Sequence, residues 1–427
     1  MSSAAATPGK ARHTDSRQAD SGRVATWLQR LESPVTTYYV LLSVTGVLVV
    51  IGLIMVLSAS SIVSYKASDS SYTIAMRQAQ FAAVGAVFMA IASRISVSRW
   101  KLLAVPALLA AMVLQLLVFT PLGKSVNGNT NWIGVGGMTL QPSEIGKLGL
   151  VLFGAAVLTR KRKLLGSVKH VVVPYLFPFA LAAIGLVLLG HDLGTVIVMC
   201  AIVGAVLFTA GVSWKLFAVG VAGFAAMAVT MVFTSANRLS RFDVWLGRDT
   251  DPFGAARQPL HGRYALADGG WWGVGLGASR EKWQWLSEPH NDFIYAIIGE
   301  ELGLPGTLVV LGLFVALALV CYRIVLRTDD LFVRLATGGV MAWIVVQAMV
   351  NIGAVIGLLP VIGVPLPLVS SGGSSLVTTM IALGMLLSFA RSEPGCAEAL
   401  AARPSVVRRS LAVLPTLSVG RARKGDR

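Results

Sequence analysis

The chain has 427 residues, of which 55% are hydrophobic and 13% charged, with a mean hydropathy of +0.73. Water-soluble domains carry about a quarter charged residues, so a soluble, disordered or collagen-like protein is excluded. Three cysteines are too few for a disulfide scaffold, and the formal charge of +16 has to be located before it is interpreted.

A membrane-crossing helix needs about 20 mostly apolar residues. The chain offers ten such stretches, at 38–60, 78–94, 101–120, 143–159, 171–189, 193–211, 214–234, 292–321, 333–358 and 373–390. The eighth contains Gly303-Leu304-Pro305-Gly306 and is expected to kink there. With both termini in the cytoplasm, most Lys and Arg fall in the tails and in the loops at 94–101, 160–170, 212–215 and 322–334. The basic excess is therefore a topology signal with some attraction to anionic membrane lipid, and it argues against nucleic acid. These observations predict an all-α polytopic membrane protein. Residues 1–36 and 392–427 are expected to be mostly disordered cytoplasmic tails. Between them, 37–391 form a ten-helix membrane domain, with 235–291 a large extracytoplasmic loop between the seventh and eighth helices.

On this topology four polar clusters fall on the outer face. The long loop ends in Glu288-Pro289-His290-Asn291-Asp292, at the mouth of the eighth span. Asp292 suits a helix cap, and equally a general base at the lipid–water boundary that takes a proton from a sugar hydroxyl. Glu288 and His290 stand near enough in sequence to shift its pKa. Glu300 and Glu301 follow, and at 100° per residue Glu301 faces away from Asp292. The second cluster is Asn127-Gly128, Asn131-Trp132 and Gln141-Pro142-Ser143-Glu144 with Lys147. Glu144 and Lys147 lie one helical turn apart, as a structural ion pair or as substrate contacts. The third, His191-Asp192-Leu193-Gly194-Thr195, reads locally as a tight turn with a helix cap. The fourth runs from Pro365 to Ser375; its Ser370, Gly372 and Gly373 offer a hydroxyl and a helix N-terminus to an anion such as pyrophosphate. Capping of the last span explains the same residues. Asp249-Thr250-Asp251 is too short a carboxylate pattern to argue a metal site. The chain has no phosphate-loop lysine motif, zinc-ligand helix or Gly-x-Ser-x-Gly elbow, so nothing points to nucleotide energy.

The run Gly269-Gly270-Trp271-Trp272-Gly273-Val274-Gly275-Leu276-Gly277, then Lys282, His290-Asn291-Asp292-Phe293-Ile294 and Gly299-Glu300-Glu301-Leu302-Gly303, resembles the SEDS family (shape, elongation, division and sporulation proteins). Asn127-Gly128 with Gln141 to Glu144, the Asp192 to Thr195 turn and Leu366-Pro367 to Gly373 are similar to that family's other landmarks, in the same order. The match spans about residues 40–390. Ala278 to Lys282 and Ile298 to Gly303 look like the division branch rather than the elongation branch.

The resemblance implies a ten-span fold and a peptidoglycan glycosyltransferase that polymerises lipid II with inversion and releases undecaprenyl diphosphate. Its place would be the plasma membrane at the division septum. Asp292 is then the implied catalytic residue, with Glu144, Lys147 and Asp192 important nearby. Diphosphate is a good leaving group that needs charge stabilisation more than a proton. One base therefore suffices, in contrast to the two carboxylates of glycoside hydrolysis. Arg263, Arg280 and Lys282, or a divalent cation (Mg or Mn), are candidates to supply that charge. Trp132 and the Ser370 to Gly373 stretch are candidates for substrate contact or site support. The implied partners are lipid II, a class B penicillin-binding transpeptidase and other division membrane proteins. The chain departs from the family pattern with Asn129-Thr130-Asn131 in place of basic residues, Ser287 for Pro, Asn291 for Thr, Gln284 for Glu and Ile362 for Lys. Roles resting on those charges do not carry over. A lipid II flippase and a non-catalytic scaffold are the competing readings. Polar groups crowd the outer face rather than line a path through the bilayer, which favours the enzyme.

Overall fold

The computed structural model describes residues 34–126, 129–135, 138–233, 236–283, 285–393, 395, 396 and 398. Asn127-Gly128, Gln284 and nearly all of the two tails lie outside the described residues. Among the described residues nine helices are long and apolar enough to cross a membrane: α1 (Val35–Ser68), α2 (Thr73–Ala92), α3 (Val97–Leu117), α4 (Pro142–Arg160), α5 (Val168–Leu189), α7 (Trp214–Phe233), α10 (Ile294–Arg327), α11 (Leu331–Val355) and α12 (Gly373–Arg391). A tenth apolar helix, α6 (Leu193–Thr209), has 17 residues. Every apolar stretch read from the sequence overlaps one of these helices. Within the unit 37–390, α4, α11 and α12 are the most buried, and none of the described residues of α7 is buried.

Two features go beyond a bundle of apolar helices. A three-stranded antiparallel sheet, β1 (Gly123–Val126), β2 (Asn129–Val135) and β3 (Met138–Leu140), joins α3 to α4, with Lys124 opposite Trp132 and Ile133 opposite Leu140. The connection from α7 to α10 folds into two further helices, α8 (Ala236–Trp245) and α9 (Arg257–Gly269).

Proline breaks two of the spans. In α5 the backbone leaves helical geometry at Val173 and Phe177, each directly before a proline that crowds the preceding residue out of the α region. In α10 the break is at Gly303 (φ 67°, ψ −163°). Pro305 has no N–H for the Glu301 carbonyl, and Gly303 turns the Leu304 N–H away from Glu300. The glycine-rich loop after α9 supplies the missing partners. Val274 N donates to Glu300 O at 2.9 Å, Gly275 N to Glu301 O at 3.0 Å, and Leu304 N donates to Gly270 O at 3.1 Å. Only glycine allows that approach at 273, where φ is +77° and a Cβ would stand 2.3 Å from the Glu301 carbonyl oxygen. The Gly269 to Gly277 run is thus the counterpart of the helix break. It leaves residues 294–302 as a short separate helix, with Asp292 just before its start and Glu300 and Glu301 at its end.

Candidate active site

The short helix makes no use of the Asp292 side chain: its N-cap is Phe293, without a side-chain capping hydrogen bond. The backbone that carries Asp292 is instead pinned at three consecutive carbonyls. Ser371 N donates to His290 O at 2.9 Å, Ser370 Oγ to Asn291 O at 2.7 Å, and Asn351 Nδ2 to Asp292 O at 2.8 Å. The carboxylate meets a small cleft lined by Asn351, Val355, Ile362, Gly363 and Val364. Gly363 has φ +78°, and a Cβ there would sit 3.4 Å from Asp292 Oδ2, so glycine keeps that side of the carboxylate open.

Burial pushes the Asp292 carboxyl up to about 6, helped by the neighbouring charges of Glu288 and Asp192 and opposed by Arg241. Glu288 is also raised by burial, against a 2.6 Å hydrogen bond from Asn291 Nδ2. Burial lowers His290 to about 4, which keeps its ring neutral at ordinary pH. Asp192 is raised by burial, with Lys147 and the bonds from Thr195 opposing and Glu144 adding to the rise. The first three clusters of the sequence therefore act on one another electrostatically.

Each cluster reaches that place through identifiable contacts. Pro142 opens α4 in its first turn. Lys147 and Glu144 form an ion pair at 2.8 Å with side chains 2% exposed. A buried pair gains from further contacts to its charged groups. Here Lys147 Nζ also donates to Gln347 Oε1 at 2.9 Å and lies 4.8 Å from the centre of the Trp343 ring. Asp192 caps α6, accepting from Thr195 N at 2.9 Å and Thr195 Oγ1 at 2.8 Å. Its second oxygen also accepts from Gln141 Nε2 at 3.1 Å, which ties the turn to the entrance of α4. Trp132 is half-buried in β2, on a sheet joined to the same turn by a 3.1 Å bond from Thr130 N to Gly190 O.

The Pro365 to Ser375 stretch is a strap. Besides the Ser370 and Ser371 bonds to residues 290 and 291, Gly372 N donates to Gln78 Oε1 at 3.3 Å, and the Phe81 ring lies against Gly373. The Ser370 hydroxyl and the Gly372 amide, which the sequence offered to an anion, bind protein groups, as does the Ser371 amide beside them. Lys282, a candidate cation for the leaving group, is 4% exposed and serves as a strut. Its Nζ donates to Glu301 Oε1 at 3.1 Å, Gly277 O at 2.6 Å and Ser58 Oγ at 3.3 Å. Glu300 accepts from Ser279 Oγ at 2.5 Å and from the Arg280 backbone N at 2.6 Å, and the Arg280 side chain is exposed. Arg263 is exposed on α9, its side chain near Gly357 beyond the end of α11. Asp249 and Asp251 accept local backbone bonds in a turn. Among the described residues no group of three or more His, Cys, Asp or Glu is placed to hold a metal ion. A divalent cation (Mg or Mn) at this site would have to be held largely by the substrate diphosphate and water, and the chain's own side chains carry the steps of the reaction.

Four residues at this site were not singled out from the sequence. Arg238 and Arg241, one turn apart on α8, bond the His191 and Val361 carbonyls at 3.0 and 3.4 Å. Gln347 and Asn351, one turn apart on α11, reach Lys147 and Asp292. Lone amides in an apolar span are costly and were the available signal for the second pair. The i, i+3 arginine spacing was the available signal for the first.

Comparison with known proteins adds the family. The profile described as cell cycle protein (FtsW, RodA, SpoVE) matches residues 38–394. A Mycobacterium tuberculosis protein named "Probable peptidoglycan glycosyltransferase FtsW" is 37% identical, over 93% of this chain and 74% of its own length. Among solved structures, a chain from a peptidoglycan synthase complex, described for its coordination of polymerization and crosslinking, superposes with a TM-score of 0.67. It is 28% identical over 82% of this chain and 96% of that one. The rod shape determining protein RodA of Thermus thermophilus gives a TM-score of 0.62 at 26% identity, over 83% and 96% of the two chains.

Proposed function

The chain belongs to the cell cycle protein family of FtsW, RodA and SpoVE, and from that premise we propose that it is a peptidoglycan glycosyltransferase of the division type, polymerising lipid II. Asp292 takes the proton from the acceptor's 4-hydroxyl as that oxygen attacks the anomeric carbon of the donor sugar. The bond from that carbon to the diphosphate oxygen breaks, the configuration inverts, and undecaprenyl diphosphate leaves with its negative charge. The proton rests on Asp292 until water removes it. One observation carries the reading: a carboxylate free of any capping duty, on backbone pinned at three carbonyls, beside a cleft and with its pKa raised to about 6. Such a group is ionised at neutral pH and is a stronger base than an ordinary carboxylate. Arg241, a charge acting on Asp292, is the chain's own group best sited to favour the departing diphosphate. Glu144, Lys147 and Asp192 hold the surrounding elements in register.

In this reading the Asp292 end of the helices faces out of the cell, both termini are cytoplasmic, and the protein works at the division septum. The asymmetry of Lys and Arg supports that orientation. Similarity to a chain from a peptidoglycan synthase complex supports a class B penicillin-binding transpeptidase as partner. The protein, reconstituted with that transpeptidase in vesicles carrying lipid II, should form glycan strands resolvable by electrophoresis. Translocation of labelled lipid II between leaflets without strand formation would replace this reading with a flippase.

A further inference from the structure

Asn351 carries more than a backbone contact. Its Nδ2 donates at 2.8 Å both to Asp292 O and to Val364 O, one on the strand of chain that bears the carboxylate and one in the loop opposite. Two carbonyl acceptors fix which way the amide points, since a flipped amide would set oxygen against oxygen twice. The remaining atom, Oδ1, is therefore an acceptor. It is buried and has no partner among the described residues, on a residue that is 3% exposed and lines the cleft beside Asp292. A buried amide oxygen without a donor is destabilising. An N–H or O–H of a molecule in the cleft would remove that cost.

Resting on the glycosyl-transfer reading, we infer that Asn351 positions Asp292 through its amide nitrogen and accepts, through Oδ1, a hydrogen bond from a hydroxyl or acetamido N–H of the sugar held against Asp292. The two halves of one amide then couple the base to its substrate. Gln347, one turn earlier on α11, extends the arrangement. Its oxygen takes hydrogen bonds from Lys147 and Trp343, and its nitrogen donates to Pro365 O at 2.9 Å. The loop that Asn351 reaches at Val364 is thus fixed from the same helix face.

The test is polymerisation kinetics of the full chain with its transpeptidase over a range of lipid II concentrations, for wild type, Asn351→Leu, Asn351→Asp and Asp292→Ala. Thermal unfolding establishes how much of each variant is folded. Asn351→Leu keeps the bulk and removes donor and acceptor, so it should raise KM and lower kcat, each by about tenfold. Asn351→Asp keeps an acceptor oxygen and loses the two-carbonyl donor. It should lower kcat with a smaller change in KM. A purely structural role would reduce the active fraction and leave KM alone. An unchanged KM in Asn351→Leu, with Asp292→Ala inactive, would overturn this inference and leave the proposed function standing. Wild-type rates in Asp292→Ala would overturn both.

Discussion

Lys282 and Glu301 form an ion pair at 3.1 Å between the glycine-rich loop and the end of the short helix, with side chains 5% and 0% exposed. Removing one partner of a buried pair leaves an uncompensated charge and costs about 3–5 kcal/mol. Lys282→Met should therefore lower the unfolding temperature of the purified protein sharply. Lys282→Met with Glu301→Leu should recover most of the loss. If Lys282 instead neutralised the leaving diphosphate, Lys282→Met would leave stability unchanged and reduce only the rate.

The helix break makes a second, sterically sharp prediction. Gly273 has φ +77° and its Cβ would stand 2.3 Å from the Glu301 carbonyl oxygen. Gly273→Ala should cost at least about 2 kcal/mol, combining the left-handed penalty with displacement of the loop. Gly223 in α7 has nothing within 4 Å of its Cβ position, so Gly223→Ala should be neutral or stabilising by up to about 1 kcal/mol. Denaturation of the two variants side by side checks the contrast.

The raised pKa of Asp292 links activity and stability to pH with opposite signs. As a base it works ionised, so the polymerisation rate should rise with pH through about 6 and then level. For stability, the folded value lies above the ordinary 3.8. The contribution of Asp292 is thus fully present below about 4 and is lost as pH rises through about 6. Asp292→Asn should then be inactive yet more stable than wild type at pH 8, by about 3 kcal/mol, with the gap closing toward pH 4. Unfolding curves at the two pH values decide it.

Arg241 and Arg280 should separate. Arg241 acts electrostatically on Asp292, whereas Arg280 contributes its backbone N–H to Glu300 and keeps its side chain exposed. Arg241→Ala should lower kcat/KM for lipid II by about tenfold or more. Arg280→Ala should stay within about twofold, measured in the same glycan assay.

What the sequence made legible was what depends on local composition and spacing. Twenty-residue apolar stretches located the spans. The one-turn spacing of Glu144 and Lys147 foretold their pairing, and the Asp192 to Thr195 turn its cap. The kink at Gly303 followed from glycine beside proline. Pairings across long separations left little local trace. Nothing near Lys282 points to Glu301 and Ser58, so on sequence alone its charge is one of several candidates to face a leaving group. The Ser370 to Gly373 groups looked free for an anion, because their partners at Asn291, His290 and Gln78 lie about 80 to nearly 300 residues away in sequence. The small sheet of β1, β2 and β3 leaves little periodic signal, because its strands are three to seven residues long.

The most direct measurement of the central claim is glycan formation from purified lipid II by the protein reconstituted with its transpeptidase, comparing wild type with Asp292→Ala. Lipid II binding and folding are checked for both. The account predicts strands from wild type and none from Asp292→Ala, with substrate binding retained. Equal polymerisation by the two would contradict the assignment of Asp292 as the base.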